Sequence, residues 1–165
     1  MSLRWLIRRD MKQVLRIEDT NKYSWTEEDF INCLRQRNRI GMVYEDYNPI
    51  IQDNVIIGYV VYELHKRKLN ILNLTVDPSY RHSGIGKNMM SKLIEKLTTQ
   101  RRSFIDTMVR ESNLTAQLFL REMEFRAISI IKNEYNNEDG YIMRYSLFDN
   151  VDFSNNRISE YMEQI

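Results

Sequence analysis

Strands and helices follow one another along this chain in the order β-α-α-β-β-β-α-β-α-β-β. That order predicts an α/β (α+β) fold, a mixed central sheet of about six to seven strands flanked by about four helices, with one more short helix at the C-terminus. Three observations carry the expectation. Runs such as Val55 to Leu64 are rich in β-branched and aromatic residues. Ile85, Met89, Leu93 and Leu97 recur every four residues. Turn-forming residues such as Asn48-Pro49 and Asn136 to Gly140 separate the runs.

Taken in order, Leu3 to Ile7 predicts a short strand. Asp10 followed by Gln13 predicts a capping-box start to a helix with Met11, Val14, Leu15 and Glu18 at helical spacing. Ser24 to Phe30 places a hydroxyl cap before Glu27, Glu28 and Asp29, which favour the positive end of a second helix. Its buried side carries Phe30, Ile31 and Leu34, and it ends near Arg37. Ile40 to Tyr44 and Val55 to Leu64 read as a hairpin, and Leu69 to Val76 as the next strand, stopped by Asp77-Pro78. A long helix from about Gly84 to Gln100 follows, then a strand from Ser103 to Arg110. Asn113 caps a helix with Ala116, Phe119, Leu120 and Met123 on one side. Phe125 to Tyr135 and Tyr141 to Phe148 form a closing hairpin. Residues 1–148 make one domain, and 149–165 a polar tail in which Ile158, Tyr161, Met162 and Ile165 mark a short amphipathic helix.

Composition narrows the function classes. The 165 residues are 42% hydrophobic and 28% charged, ordinary for a single packed domain. With 24 basic and 23 acidic residues the net charge is +1, so no global field favours nucleic acid or an anionic membrane. The short basic clusters at Lys66 to Lys68 and Arg101-Arg102 read as solvated turns. One cysteine, Cys33, and two histidines, His65 and His82, offer neither a disulfide framework nor a zinc set, so no metal is expected. No apolar run reaches the length of a membrane span, and Met1 to Arg9 lacks the apolar core of a secretory signal. The expected location is cytoplasmic.

The segment with the most chemistry lies between the third central strand and the long helix. Gly84 and Gly86 let the backbone approach a ligand, and the helix starting there points unpaired N–H groups outward, a geometry suited to pyrophosphate. Arg81 and Lys87 flank it. A Walker A loop is excluded, because Arg81 stands five residues before Gly86 and Asn88 follows the lysine. A Rossmann fingerprint fits poorly, because seven residues separate Val76 from Gly84 and position 89 is methionine.

Val76-Asp77-Pro78-x-Tyr80-Arg81-x-x-Gly84-x-Gly86 resembles the acetyl-CoA signature of the GNAT N-acetyltransferases. Trp25 to Phe30, Leu72-Asn73-Leu74-x-Val76, Val109-Arg110-x-Ser112-Asn113 and the closing Phe125 are similar to the RimI-like branch, which acetylates a ribosomal-protein alanine. The resemblance runs from about Leu6 to Leu147. It implies the GNAT fold, acetyl-CoA as co-substrate, and a primary amine as acceptor, foremost a protein N-terminus. By the same resemblance Leu74, Thr75 and Val76 pair with the pantetheine arm as with an added strand, and His82, Ser83, Gly84, Ile85, Gly86 and Lys87 hold the pyrophosphate. Asn113 contacts the pantetheine or acetyl end while also capping its helix. Trp25 and the loop from Tyr135 to Tyr141 line the acceptor groove, although Trp25 reads first as a core residue.

Proton transfer is where the chain leaves the pattern. The positions of the RimI-like glutamate and tyrosine hold Met108 and Leu120, neither of which moves a proton, and the usual glycine before Phe125 is Glu124. The catalytic groups are therefore unassigned by sequence. Glu111 and Tyr135, with Glu63 and Tyr141 behind them, are the candidates for a relay through water. An α-amine of pKa near 8 is partly neutral at physiological pH, whereas lysine near 10.4 is neutral only about once in a thousand, so a low-pKa amine suits a chain without a base. A small-molecule amine as acceptor, and an acetyl-CoA-binding regulatory module without catalysis, stay open as alternatives.

Overall fold

The computed structural model describes residues 1–148; the tail from 149, with its expected helix, lies outside the described residues. The expected order of elements is present. β1 (Ser2–Trp5) leads through a 3-10 turn (Arg8–Asp10) into α1 (Met11–Glu18) and α2 (Glu27–Leu34). Then come β2 (Arg39–Asn48), β3 (Asp53–Leu64), β4 (Lys68–Val76), a 3-10 turn (Pro78–Tyr80) and α3 (Ile85–Thr99). β5 (Phe104–Arg110), α4 (Leu114–Glu122), β6 (Arg126–Ile131) and β7 (Gly140–Ser146) complete the fold.

The strands form one seven-stranded sheet in the order β1-β2-β3-β4-β5-β7-β6. Every neighbouring pair is antiparallel except β4 and β5. Helices cover both faces. α1 and α2 bury Val14, Ile17 and Phe30 against Val43, Tyr59 and Val61 on one face. α3 and α4 bury Met89, Leu93, Leu97 and Leu120 against Val60, Leu69 and Ile105 on the other. The alternation of Tyr59, Val60 and Val61 between the two clusters is the period-two signature of a strand buried on both sides.

Several local expectations are corrected. Asp10 and Gln13 do not make a capping box. The Asp10 carboxylate turns back to accept from Arg4 (2.7 and 2.9 Å) and from the Ile7 N–H (2.8 Å), and Gln13 Oε1 accepts from the Ile56 N–H. The capping box belongs to Thr26 and Asp29 instead. α2 stops at Leu34 because Arg35 and Gln36 turn the chain toward β2. Its buried residues are Phe30 and Cys33, while Ile31 is exposed. β2 runs on to Asn48 because the polar residues 45–48 pair with 53–56 of β3. β6 ends at Ile131 rather than Tyr135. Asp139 pulls the following segment into a loop by accepting from Lys132 Nζ and the Asn133 N–H, with positive φ at Asn133, Asn136 and Asn137.

β5 and β7 are fastened by charge. Asp106, 4% exposed, accepts two bonds from Arg144 (2.7 and 2.9 Å) and one from Lys68 (3.0 Å). Burial alone would raise the pKa of this carboxyl, but the bonds from Arg144 and Lys68 outweigh it and hold the group below its ordinary range. A depressed folded-state pKa stabilises the fold above the unfolded value of about 3.9, and that stability is lost as pH falls through the folded value. Asp106→Asn is expected to cost about 2–3 kcal/mol at pH 7 in urea melts and less at pH 3, where the carboxylate of the unfolded chain, with its pKa of about 3.9, is already mostly protonated. An equal cost at both pH values would show that the charge is not what matters.

α4 closes with Glu124 in the left-handed region, φ +67°. There its N–H donates to Arg121 O, and the Phe125 N–H donates to Leu120 O. Glutamate bears a Cβ penalty in that conformation that glycine avoids. Glu124→Gly is expected to add about 1 kcal/mol and raise Tm by about 2–4 °C in calorimetry; a lower Tm would contradict the geometry.

Candidate functional site

The parallel pair at the centre of the sheet holds together only from Lys68 and Phe104 to Ile71 and Thr107. At that point Thr107 Oγ1 donates to the Ile71 carbonyl at 3.2 Å, and beyond it the strands part. Residues 73–76 stay paired with β3 on one side but have no strand on the other. A strand edge inside a sheet presents main-chain donors and acceptors to an extended ligand, as a sheet's outer edge does.

The open stretch of β4 leads directly into the glycine loop. Asp77 accepts from the Ser79 N–H and pairs with Arg16 at 3.0 Å, anchoring the turn. His82 and Gly84 take positive φ of 60° and 82°, and the first intrahelical bond of α3 runs from the Asn88 N–H to Gly84 O. The N–H groups of Ile85, Gly86 and Lys87 precede that bond and point out of the helix end. A Cβ on Gly86 would lie 3.5 Å from the Phe119 ring and 3.7 Å from Val76 Cγ2, ordinary contacts, so protein packing does not demand glycine there. Gly58 differs. A Cβ on it would stand 3.1 Å from both Met89 Sδ and Thr75 O, so its absence lets α3 lie close to the strand end.

The two cations beside the loop are turned away from it. Arg81 donates through Nε to Val76 O (3.0 Å) and through a terminal nitrogen to Thr20 Oγ1 (3.3 Å), and Lys87 is ion-paired with Glu122 of α4. Ser83 donates to Tyr80 O. The Asn113 side chain accepts from the Ala116 N–H at 3.1 Å, the cap expected of it. Its Nδ2 has no protein partner among the described residues.

Across the opening, β5 turns Asp106, Met108 and Arg110 toward the α1–α2 face. The Arg110 guanidinium lies between two rings, 3.5 Å from the centroid of Tyr23 and 3.9 Å from that of Tyr135, with Glu138 at 3.5 Å. These residues, with Glu134 and Asn136, line a cleft of about 380 Å³. Met108 is 38% exposed, and its sulfur would stand 3.0 Å from a Cβ on Gly140, with the Tyr135 ring at 3.2 Å. Burial pushes the Tyr135 phenol above its ordinary pKa although Arg110 pulls the other way. Bonds from Ser112 hold the Glu138 carboxyl below its ordinary range.

Of the residues expected from sequence, Leu74, Thr75 and Val76 and the segment from Arg81 to Lys87 are thus brought together, and Tyr135 lines the cleft. Leu120 is buried in the α3–α4 core, away from solvent. Glu111 is exposed, with its main chain bonded to Asp139 and Gln117. Tyr141 pairs with Val109 and packs on the core. Glu63 lies at the far end of β3 and is bound by Arg39, His65 and Asn70, which removes it from the candidate relay. Trp25 packs edge-on to Phe30 at 5.1 Å and is absent from the cleft lining, where Tyr23 stands instead.

Two features escaped sequence reading. Tyr23 and Arg110 meet only through tertiary folding. Glu18, 1% exposed, accepts from Tyr59 Oη, Asn21 Nδ2 (2.7 Å), the Trp25 N–H (2.8 Å) and Asn73 Nδ2 (3.0 Å). Its signal was a carboxylate on the apolar stripe of α1. Burial, and then the negative charge of Glu18, push the Tyr59 phenol well above its ordinary range. Among the described residues no group of three or more His, Cys, Asp or Glu side chains is arranged to hold a metal ion. No helix there is long and apolar enough to cross a membrane.

Comparison with known proteins points the same way. The Acetyltransferase (GNAT) family model matches residues 3–125. The [ribosomal protein bS18]-alanine N-acetyltransferase of Haemophilus ducreyi is 27% identical over 136 residues, covering 82% of this chain and 89% of that one. The crystal structure of the ribosomal-protein-S18-alanine N-acetyltransferase from Escherichia coli superposes with a TM-score of 0.76 at 20% identity, over 88% of this chain and 92% of that one. Arabidopsis thaliana NAA60 in complex with acetyl-CoA gives 0.75 at 18% identity, over 88% and 99%.

Proposed function

The chain belongs to the GNAT family of acetyltransferases, and from that premise we propose that it transfers the acetyl group of acetyl-CoA to the α-amine of a protein N-terminus. One observation carries the reading: an unpaired strand edge at Asn73 to Val76 that runs straight into the open N-terminus of α3, with an aromatic cleft on the opposite lip. Relatives named for acetylating the alanine of a ribosomal protein support the choice of acceptor class.

In this reading Leu74, Thr75 and Val76 pair with the pantetheine arm, while the N–H groups at the start of α3 and the loop from His82 to Lys87 receive the pyrophosphate. Lys87 leaves Glu122, and Arg81 serves by fixing the end of β4. Asn113, with its Oδ1 committed to the helix cap, offers Nδ2 to the pantetheine or acetyl end. The neutral amine attacks the thioester carbonyl; the C–N bond forms, the C–S bond breaks, the nitrogen's proton passes to water, and the CoA sulfur leaves as thiolate and is then protonated. A thiol of pKa about 8.5 leaves readily as thiolate, so orientation carries much of the rate. Tyr135, protonated at neutral pH and beside Met108, is the nearest candidate donor, with Glu111 behind it.

Release of CoA, followed with a thiol reagent across peptides beginning with Ala, Ser, Met and other residues and across polyamines, tests the assignment. Turnover with peptides is expected, and their kcat/KM rises about tenfold per pH unit up to the amine's pKa near 8, then levels. A rate that climbs on toward pH 10 would mark a lysine-like amine. Tight acetyl-CoA binding without release for any acceptor would mark a binding module. Tyr135→Phe is expected to lower kcat about tenfold or more, whereas Glu111→Gln does less; if both leave turnover and its pH profile unchanged, neither transfers a proton.

Gly86→Ala separates binding from folding. Alanine in a helix is favoured over glycine by roughly 0.5–1 kcal/mol, and the site has room for the methyl, so Tm is expected to hold or rise. The methyl narrows the approach to the helix end, and calorimetry is expected to show acetyl-CoA affinity about tenfold weaker. Unchanged affinity would remove Gly86 from the site.

A further inference from the structure

The carboxylate of Glu18 is the least expected group in the molecule. It is 1% exposed, and all four of its hydrogen-bond donors are neutral: a phenol, two side-chain amides and one backbone N–H. An ionised group so placed is costly beside an apolar residue of the same size, even with its acceptor sites filled. Its partners show what it organises. Tyr59 comes from β3, Asn21 and the Trp25 N–H from the α1–α2 connection, and Asn73 from β4. The network extends one step further, since Asn21 Nδ2 also donates to Thr75 Oγ1 (3.0 Å), which donates to Asn73 Oδ1 (3.1 Å).

Asn73 and Thr75 lie on the stretch of β4 that has lost β5 as a neighbour. On its α1–α2 side that stretch is tied down by this network, in addition to the ladder to β3, the Arg81 bond to Val76 O and the packing of Leu74 and Val76 on the opposite core. The same carboxylate pins the α1–α2 connection, which carries Tyr23 to its place over Arg110 in the cleft wall. One buried group thus holds both lips of the opening.

We propose that Glu18 is a positioning residue for the transfer reaction, setting the open edge of β4 and the α1–α2 connection in register with each other. The proposal rests on the acetyltransferase reading of the site, but its first readout, cofactor affinity, does not require an identified acceptor. Glu18 has no surface through which to reach substrate, so it acts through Asn73, Thr75 and the Trp25 backbone.

The test compares Glu18→Gln, which keeps the shape but sets an amide NH2 against two of the four donors, with Tyr59→Phe, which removes one donor and leaves the carboxylate. In the full chain, calorimetry with acetyl-CoA is expected to show about tenfold weaker binding for Glu18→Gln and about threefold for Tyr59→Phe. Hydrogen exchange is expected to accelerate at residues 73–76 and 19–26 while the α3 amides keep wild-type rates. With an active peptide, kcat/KM falls about a hundredfold in Glu18→Gln, with the pH profile unmoved. If Glu18→Gln does not fold, Tyr59→Phe decides by the same readouts. A lowered Tm with wild-type affinity, exchange and KM would overturn the proposal in favour of a structural role. Loss of a limb of the pH profile would overturn it in favour of proton transfer. If wild-type protein turns over no acceptor, the proposed function fails while affinity and exchange still decide this point.

Discussion

A parallel pair of strands that holds for only four residues is the constraint around which this molecule is built. Main-chain groups withdrawn from water need partners, and a sheet that opens in its middle leaves a row of them unmet unless water or a ligand supplies the complement. Everything close to the opening bears on keeping it open. Asp106 clamps β5 to β7 and to Lys68 at the closed end, while α3, drawn in by the missing side chain of Gly58, braces β4 near the open end. The edge is therefore braced but without a strand partner, the condition under which a ligand's own main-chain-like groups bind without first ordering the protein.

The two faces of the sheet do different work. The α3–α4 face is an apolar core with Leu120 inside it, so a proton carrier at that position would have to sit among aliphatic side chains. The α1–α2 face is mixed. It begins as core around Phe30 and Tyr59, becomes polar around Glu18, and ends in the cleft of Tyr23, Arg110 and Tyr135. Polar chemistry is thus confined to one side of the opening, and Met108 is the apolar residue within it.

Much of this was legible in the amino-acid sequence because local physics governs it. The four-residue rhythm from Ile85 to Leu97, the stop at Asp77-Pro78 and the Asn113 cap depend on neighbours in the chain, and they appear where expected. The register of α2 did not, because two apolar faces were available and burial of Cys33 rather than Ile31 was decided by what lay beneath. The end of β6 depended on Asp139, eight residues away from Ile131, reaching back to Asn133. Arg81 and Lys87, grouped by spacing with the phosphate loop, found carbonyl, hydroxyl and carboxylate partners that spacing does not reveal. Glu18 shows the limit most clearly. Its position on the helix was plain, but its four partners come from residues 21 to 73, and nothing local marks them as a set.

The Tyr23–Arg110–Tyr135 stack has a kinetic consequence. Under the proposed function, an acceptor entering the cleft must separate or share a guanidinium held by two ring faces, each contact worth about 0.5–1 kcal/mol. An occupant that displaced both contacts is weakened by roughly 5- to 30-fold. In that reading the stack re-forms as an occupant leaves, so the feature that lowers residence also speeds release of product.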